Sequence, residues 1–515
     1  MEKRVIIAVL LSVAVLVLFN FFFRPPEIKK PLPAQTAQTQ PGKQAAPATP
    51  QPQATPAPPA AKPAPEVAEA PAKDITINTD LYTAVISTRG GVIKSWKLKK
   101  YKDASGNPLE MVQNAPMKPL IVAPDGVQWQ DAEKYPYSAD KDRIDISGKD
   151  TGTLTLTYSG PDGKSIVKAL DLTGDNYDFG LDVKTSGINF YTVYMGEGFG
   201  NVTENEKRAF VGALTYVDGS KEKDNPEKLT ALKTYQGKSG WTCITEKYFM
   251  GAIRPDDGLK AIVGRGEQGL GFVGVDATGP DRKFLVYAGP KEYDRLKALG
   301  GNMQLAVDFG WFTFLAKPLF FALRFFYGLV HNWGWAIIIL TVIVKLIFAP
   351  LTHKSQKSMK KLQKLQPLFA ELKEKYKGDP QRLNREMMEL YKKHQVNPMG
   401  GCLPMLIQIP VFIALYNVLN NAIELRGAPF AFWLHDLSAK DPYYILPILM
   451  GLSMLAMQKM TPTSMDPKQN MMMMIMPVVL TFMFISLPSG LVLYFTVSNL
   501  LSMAQQIYIN KYSKE

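Results

Sequence analysis

Residues 332–352 read NWGWAIIILTVIVKLIFAPLT, an apolar run holding a single fixed charge, Lys345. A helix rises 1.5 Å per residue, so about twenty residues match the ~30 Å hydrocarbon core of a bilayer. A membrane-spanning helix over about 332–351 is expected. Lys345 then lies about 18 Å beyond Trp333 and about 9 Å from the far end of the span. A lysine at mid-helix costs about 2.5 to 3.5 kcal/mol unless it is solvated. Two arrangements relieve that cost: the side chain snorkels to the near surface, or it faces a hydrated cavity.

Other apolar segments follow at 402–422, 443–459, 472–487 and 490–508, and one precedes them at 5–23. Six spans are therefore expected, with both termini on one side. The run at 5–23 is long and leaves through Phe21, Phe22, Phe23 and Arg24, which fits an uncleaved signal anchor (1–24) better than a cleaved signal peptide. Clustering of the apolar residues explains why 46% hydrophobic content gives a mean hydropathy of only −0.07.

Orientation follows from Lys and Arg in the short loops. Residues 351–400 carry 12 Lys or Arg against 5 Asp or Glu, and residues 424–442 carry two against three. The first loop (352–400) is thus expected in the cytoplasm, with the 460–471 loop and the 509–515 tail, and the second (424–442) outside. Much of the +13 net charge sits in that cytoplasmic loop, so sequence-specific nucleic-acid binding is not expected. Within it, 355–377 and 381–395 have helical spacing around Gly378-Asp379-Pro380, a basic helical hairpin. It serves as a topology signal, or as a docking face for ribosome, nascent chain or anionic lipid.

Between the first span and the rest, residues 25–73 hold 14 of the 38 prolines and almost no large apolar side chains, as a disordered tether would. Residues 74–300 show short alternating runs, such as TLTLT at 153–157, between turn residues, which reads as an all-β sandwich. Gly264, Gly266 and Gly269 match GxGxxG, but the following GLGFVGVD has strand character and supplies no helix N-terminus for a pyrophosphate. Turn glycines explain them. In 301–331, Lys317, Arg324 and His331 recur every seven residues on an aromatic helix, expected to lie in the membrane interface, with a spanning helix as the alternative.

No Asp or Glu falls inside the five C-terminal spans. Thr341 is one helical turn from Lys345, and Gln408, Asn417, Gln458, Ser498, Asn499 and Gln505 are spread over the later spans. Such residues also bond helix to helix, but together they favour a wet groove open to the cytoplasm. Twelve of 23 methionines follow Lys440, suiting a surface that accepts many apolar shapes or simple contact with lipid. Catalytic chemistry is not expected: the four histidines are scattered, no HExxH occurs, and two cysteines, Cys243 and Cys402, support no zinc site. No cofactor and no metal are expected.

The segments at 332–352, 397–419 (NPMGGCLPMLIQIPVFIALYNVL), 428–451 (APFAFWLHDLSAKDPYYILPILMG) and 488–500 (PSGLVLYFTVSNL) resemble the YidC/Oxa/Alb family of membrane protein insertases, Gram-negative type. The resemblance extends over essentially the whole chain. It implies a polytopic α-helical membrane protein of six transmembrane helices with a five-helix core, a large periplasmic β-supersandwich, and a hydrophilic groove in the inner membrane. It further implies insertion, folding and assembly of nascent membrane proteins, alone or with the Sec translocon and its accessory subunits. Ribosome and targeting machinery would engage the cytoplasmic hairpin, with membrane lipids around the core. The groove charge, usually Arg in this family, is Lys345 here, so planar bidentate contacts are lost. The aromatic position of the last span is Phe495, preceded by Tyr494. A small-solute or lipid transporter is the alternative from another functional class.

Overall fold

In a computed structural model, the described residues are 72–103, 105–112, 116–197, 210–394, 396, 403–460 and 467–512. The expected anchor, most of the tether, the 460–471 loop apart from its ends, and Cys402 lie outside them. The described residues belong to one compact unit, in which a β domain precedes a helical part.

Among the described residues, nineteen strands form three sheets of five, nine and five strands. The alternating runs lie in strands: in Thr151–Ser159, Leu154 and Leu156 are buried, while Thr153 faces outward and donates to Asp171. Neighbours pair antiparallel except Asp74–Asn78 with Arg143–Asp145, which run parallel. Of the glycine-rich match, Gly266 and Gly269 (φ 81°) lie in the hairpin turn between Leu259–Arg265 and Gly271–Thr278, whereas Gly264 lies within the first strand opposite Phe272 and is not a turn glycine.

One strand breaks the alternation rule in its chemistry. Ser165–Thr173 buries Ile166, Leu170 and Leu172, and Lys168 on the same face. Its ammonium donates to the carbonyl oxygens of Gly90 (2.8 Å), Gly91 (3.1 Å) and Leu120 (2.8 Å), and stands 4.5 Å from the Tyr137 ring centre. Gly90 and Gly91 turn the chain inside the first five-stranded sheet, Lys168 is in the nine-stranded sheet, and Leu120 leads into the second five-stranded sheet. One side chain thus ties all three sheets. A Cβ on Gly90 would stand 2.8 Å from the Glu133 carbonyl oxygen, and its φ of 73° also demands glycine.

The helical part begins with α1 (Thr313–Val330) and α2 (Trp333–Lys364). His331, at φ 50°, ends α1 by donating its N–H to the Tyr327 carbonyl, and the Tyr327 ring stacks on Trp333 at 4.0 Å. There follow α3 (Gln366–Lys375), α4 (Pro380–Lys393), α5 (Leu403–Asn421), α6 (Ile445–Met460), α7 (Pro467–Phe484) and α8 (Ser489–Tyr512). Two helices among the described residues are long and apolar enough to cross a membrane, Thr313–Val330 and Trp333–Leu362; Ile445–Met460 and Met474–Phe484 are shorter apolar helices. The α2 helix does not stop at residue 351 as the apolar run would have it. Pro350 leaves it intact, and the polar residues after it are good helix formers up to the Leu365–Pro367 break. The expected 355–377 helix is consequently the last turns of α2 plus α3. At Gly378-Asp379-Pro380 the Asp379 side chain caps α4 by accepting from the Arg382 N–H at 3.0 Å.

The β domain and helices meet through aromatic and ionic contacts. Tyr293 packs on Phe309, Phe320 and Phe321, and Arg324 of α1 pairs with Asp294. Arg426 lies over the rings of Tyr248 and Phe249. Glu424 sits here too: burial, then the carboxylates of Glu292 and Asp294, push its carboxyl up to about 7 against the opposing pull of Arg324.

Two outcomes follow. Lys168→Met keeps the volume but leaves three buried carbonyls without their donor, so thermal or urea unfolding followed by the β-sheet signal should show a loss of about 2–4 kcal/mol. For Glu424, a folded-state value above the ordinary 4.5 means that the folded chain holds the extra proton between about 4.5 and 7. Its contribution therefore falls as pH rises through that window. Glu424→Gln should gain stability relative to the parent at pH 8 and little at pH 5, read as the difference in unfolding midpoint.

Candidate functional site

A charged side chain on a membrane-embedded helix needs a partner on a neighbouring helix, because the backbone groups are already paired within each helix. The partner of Lys345 is on α8, which packs against α2, α5 and α6. Lys345 is half-buried, and its Nζ donates to the Ser502 hydroxyl at 2.8 Å. Ser502 in turn donates to the Ser498 carbonyl at 2.9 Å, one turn earlier. No carboxylate pairs with Lys345 among the described residues. One turn further along α2, Gln505 donates to the Ala349 carbonyl at 3.3 Å, and Lys360 reaches the Ile509 carbonyl at 2.7 Å. A polar seam therefore runs between α2 and the second half of α8.

A second polar contact joins α5 to α8. Gln408 donates to the Tyr494 hydroxyl at 2.8 Å, and the Tyr494 ring is almost fully buried. Phe495 follows as an aromatic hinge point: its ring lies 4.9 Å from Phe412 of α5 and 4.7 Å from Phe484 of α7, both edge-on. Such edge-to-face pairs add about 0.5–1.5 kcal/mol each beyond area burial.

The remaining expected site residues are placed differently from one another. Thr341 is 1% exposed and returns its hydroxyl to the Ile337 carbonyl of its own helix at 2.6 Å, so it lines no open surface. Ser498 is buried beside Ser502 on α8. The Asn499 amide nitrogen and the Gln458 amide oxygen are buried polar atoms with no hydrogen-bond partner among the described residues. Asn417 is not part of the seam; it lies against Gly310, where a Cβ would come within 2.2 Å of its amide. The residue that sequence reasoning missed is Ser502. Tyr494, Ser498, Ser502 and Gln505 are spaced four, four and three apart, one face of a helix, and that spacing was the available signal.

The loop between α5 and α6 holds the other end of α8. Asp441 is buried and accepts from Trp433 Nε1 (3.0 Å) and from the Tyr443 (3.0 Å) and Leu446 (2.7 Å) backbone, capping α6. Ser489 donates from its backbone to the Ala439 carbonyl at 2.7 Å and from its hydroxyl to the Asp436 carbonyl at 2.9 Å. Among the described residues, no group of three or more His, Cys, Asp or Glu could hold a metal ion.

Comparison with known proteins adds an independent line. Residues 74–322 match the family model described as YidC periplasmic domain, and residues 325–515 match the one described as 60Kd inner membrane protein. A membrane protein insertase YidC of Geotalea uraniireducens (strain Rf4) is 42% identical, with 99% of each chain aligned. One from Citrifermentans bemidjiense is 43% identical, again over 99% of both. A crystal structure of an active YidC insertase with its first transmembrane domain resolved aligns with 86% of this chain and 93% of its own at 20% identity and a TM-score of 0.40. With matched family models covering both parts of the chain and relatives above 40% identity from end to end, the chain belongs to the YidC family of membrane protein insertases.

Proposed function

We propose that this chain inserts and helps fold newly made inner-membrane proteins through a hydrated groove built around Lys345. The observation that carries this reading is the Lys345–Ser502 contact: an amine inside a span is bonded to a neutral hydroxyl, with no counter-ion among the described residues. Ser498 and the Gln408–Tyr494 pair extend the polar lining, with Asn499 and Gln458 as further amides for water or substrate. Thr341 and Phe495 shape the wall, and Asn417 lies toward the β-domain end.

In this mechanism the groove receives the polar flank of a nascent segment from the cytoplasm and shortens its path across the apolar layer. The apolar segment moves sideways into lipid along α5 and α7. Each apolar residue contributes about 0.3–0.6 kcal/mol on insertion scales, so twenty residues supply the drive without nucleotide. Six spans, counting residues 5–23, with both termini in the cytoplasm complete the topology. The exposed faces of α3 and α4, rich in Lys and Arg, present the docking surface for ribosome and targeting machinery, and the Sec translocon and its accessory subunits are partners for larger substrates.

Reconstituted insertion of a short single-span protein into liposomes tests the groove. Lys345→Arg should stay within about twofold of the parent, Lys345→Ala should give a partial, substrate-dependent loss, and Lys345→Glu should do most harm to substrates with acidic flanks. In a variant lacking Cys243 and Cys402, single cysteines at 345 and 502 should react with a membrane-impermeant thiol reagent from the cytoplasm, whereas a cysteine at the buried position 341 should not. Protection at both 345 and 502 means a snorkelling lysine and no groove.

Replacing 366–393 with a short linker, keeping all of α2, should lower co-translational insertion several-fold with the helical core intact. Unchanged insertion at normal abundance would leave the hairpin as a topology signal alone.

A further inference from the structure

At the junction of the β domain and the helical part, a cavity of about 50 Å³ opens among Lys221, Lys223, Lys247, Lys291, Asp308 and Asn421. On that scale one water needs about 10–15 Å³, so the space suits a group of four or five heavy atoms and excludes a nucleotide. Lys221 and Lys223 come from the edge strand Ser220–Asp224, Lys247 and Lys291 follow two strands of the same sheet, and Asn421 is the last residue of α5.

The charge in this lining does not balance. Apart from Lys247, the lysines Lys221, Lys223 and Lys291 face the carboxylates of Glu246 and Asp308, three against two. Asp308 is already engaged by Lys223 and is 4.0 Å from Lys221. Lys291, buried at the back, donates to the Glu246 backbone oxygen rather than to a carboxylate. Burial holds Lys221 below the ordinary lysine range against the pull of Asp308, and the ammonium groups of Lys223 and of Lys317 on α1 add to the effect. Crowded ammonium groups of this kind are relieved by an anion.

We infer that this cavity binds the phosphate of an anionic phospholipid headgroup. Phosphate has the right size and charge, and lysines serve it as point charges. A lipid rather than a free ion is favoured by what adjoins the cavity. Trp311 and Phe314, three and six residues beyond Asp308, are 78% and 75% exposed, and α1 continues with exposed Phe321 and Phe325. Aromatic side chains laid out beside basic groups belong in the headgroup layer of a bilayer. The bound lipid would act on the junction itself, because Asn421 donates to the Asp308 carbonyl at 2.9 Å and Asn417 packs on Gly310. The inference rests on this junction and not on the insertion groove.

Residue-resolved acetylation tests it, with the full chain in neutral-detergent micelles and an N-hydroxysuccinimide reagent. Dioctanoyl-phosphatidylglycerol should slow modification of Lys221 and Lys223 at least threefold while leaving Lys100, whose side chain is 67% exposed, unchanged. Lys221→Gln should abolish the protection of Lys223, and Lys221→Arg should keep it. No protection, equal protection of Lys100, or unchanged protection in Lys221→Gln would overturn the site. Equal protection by sodium phosphate at the same concentration would overturn the lipid assignment in favour of a free anion.

Discussion

A polar group in an apolar layer must find its partner inside the protein, and that constraint organises the helical part. Each helix satisfies its own backbone, so side chains alone decide which helices are joined by polar contacts. Lys345 has a long, flexible stem and no acid within any span, and it takes the hydroxyl of Ser502 on α8. The same two helices are then fastened by Gln505 and Lys360 farther along. The α8 helix becomes the common neighbour of α2, α5 and α6, with its other end held by the loop around Asp436 and Asp441. Replacing the seam by leucines would leave α2 and α8 joined by apolar packing without these polar contacts.

The β domain solves a related problem with the same residue type. Lys168 occupies a core register on an alternating strand, and three carbonyls plus one aromatic face take the place of its hydration shell. The carbonyls belong to segments that lead into different sheets, so the ammonium holds the Gly90–Gly91 turn and the separate Leu120, all at positive φ, against the strand Ser165–Thr173. A buried lysine of this kind ties segments of three sheets to one point, the Lys168 ammonium.

Much of this was legible in the sequence because periodicity and polarity report local surroundings. Alternation located strands such as Thr151–Ser159, and apolar runs located α5, α6, α7 and α8 to within about five residues, but only the start of α2. What periodicity leaves open is pairing between distant segments. The role of Lys168 is not legible, because nothing in the SIVKAL spacing of residues 165–170 says which loops will lie over it. Asn417 is drawn to Gly310 rather than to Lys345, because it sits at the opposite end of α5 from Gln408. The continuation of α2 past 351 escaped an apolar-run reading because a helix need not end where its hydrophobicity does. Thr341 shares a face with Lys345 but bonds its own backbone, the usual outcome for threonine in a helix with no partner across the interface.

The junction between the two parts has a logic of its own. The β domain contributes Asp294 and Asp308, and the helical part contributes Arg324 and Asn421, so the linker through Gly310 is held at both sides. Aromatic packing of Tyr293 on Phe309, Phe320 and Phe321 surrounds these polar contacts with apolar surface. The Arg324–Asp294 pair stays partly exposed, with the Asp294 side chain 60% accessible, whereas burial raises the cost of ionising Glu424 nearby. A tight junction therefore transmits position from the β domain to α1, and α1 packs on both α2 and α5. Since those two helices carry Lys345 and Gln408, the distance between the polar seam and the α5 contact is set in part outside the membrane, by how the β domain seats α1.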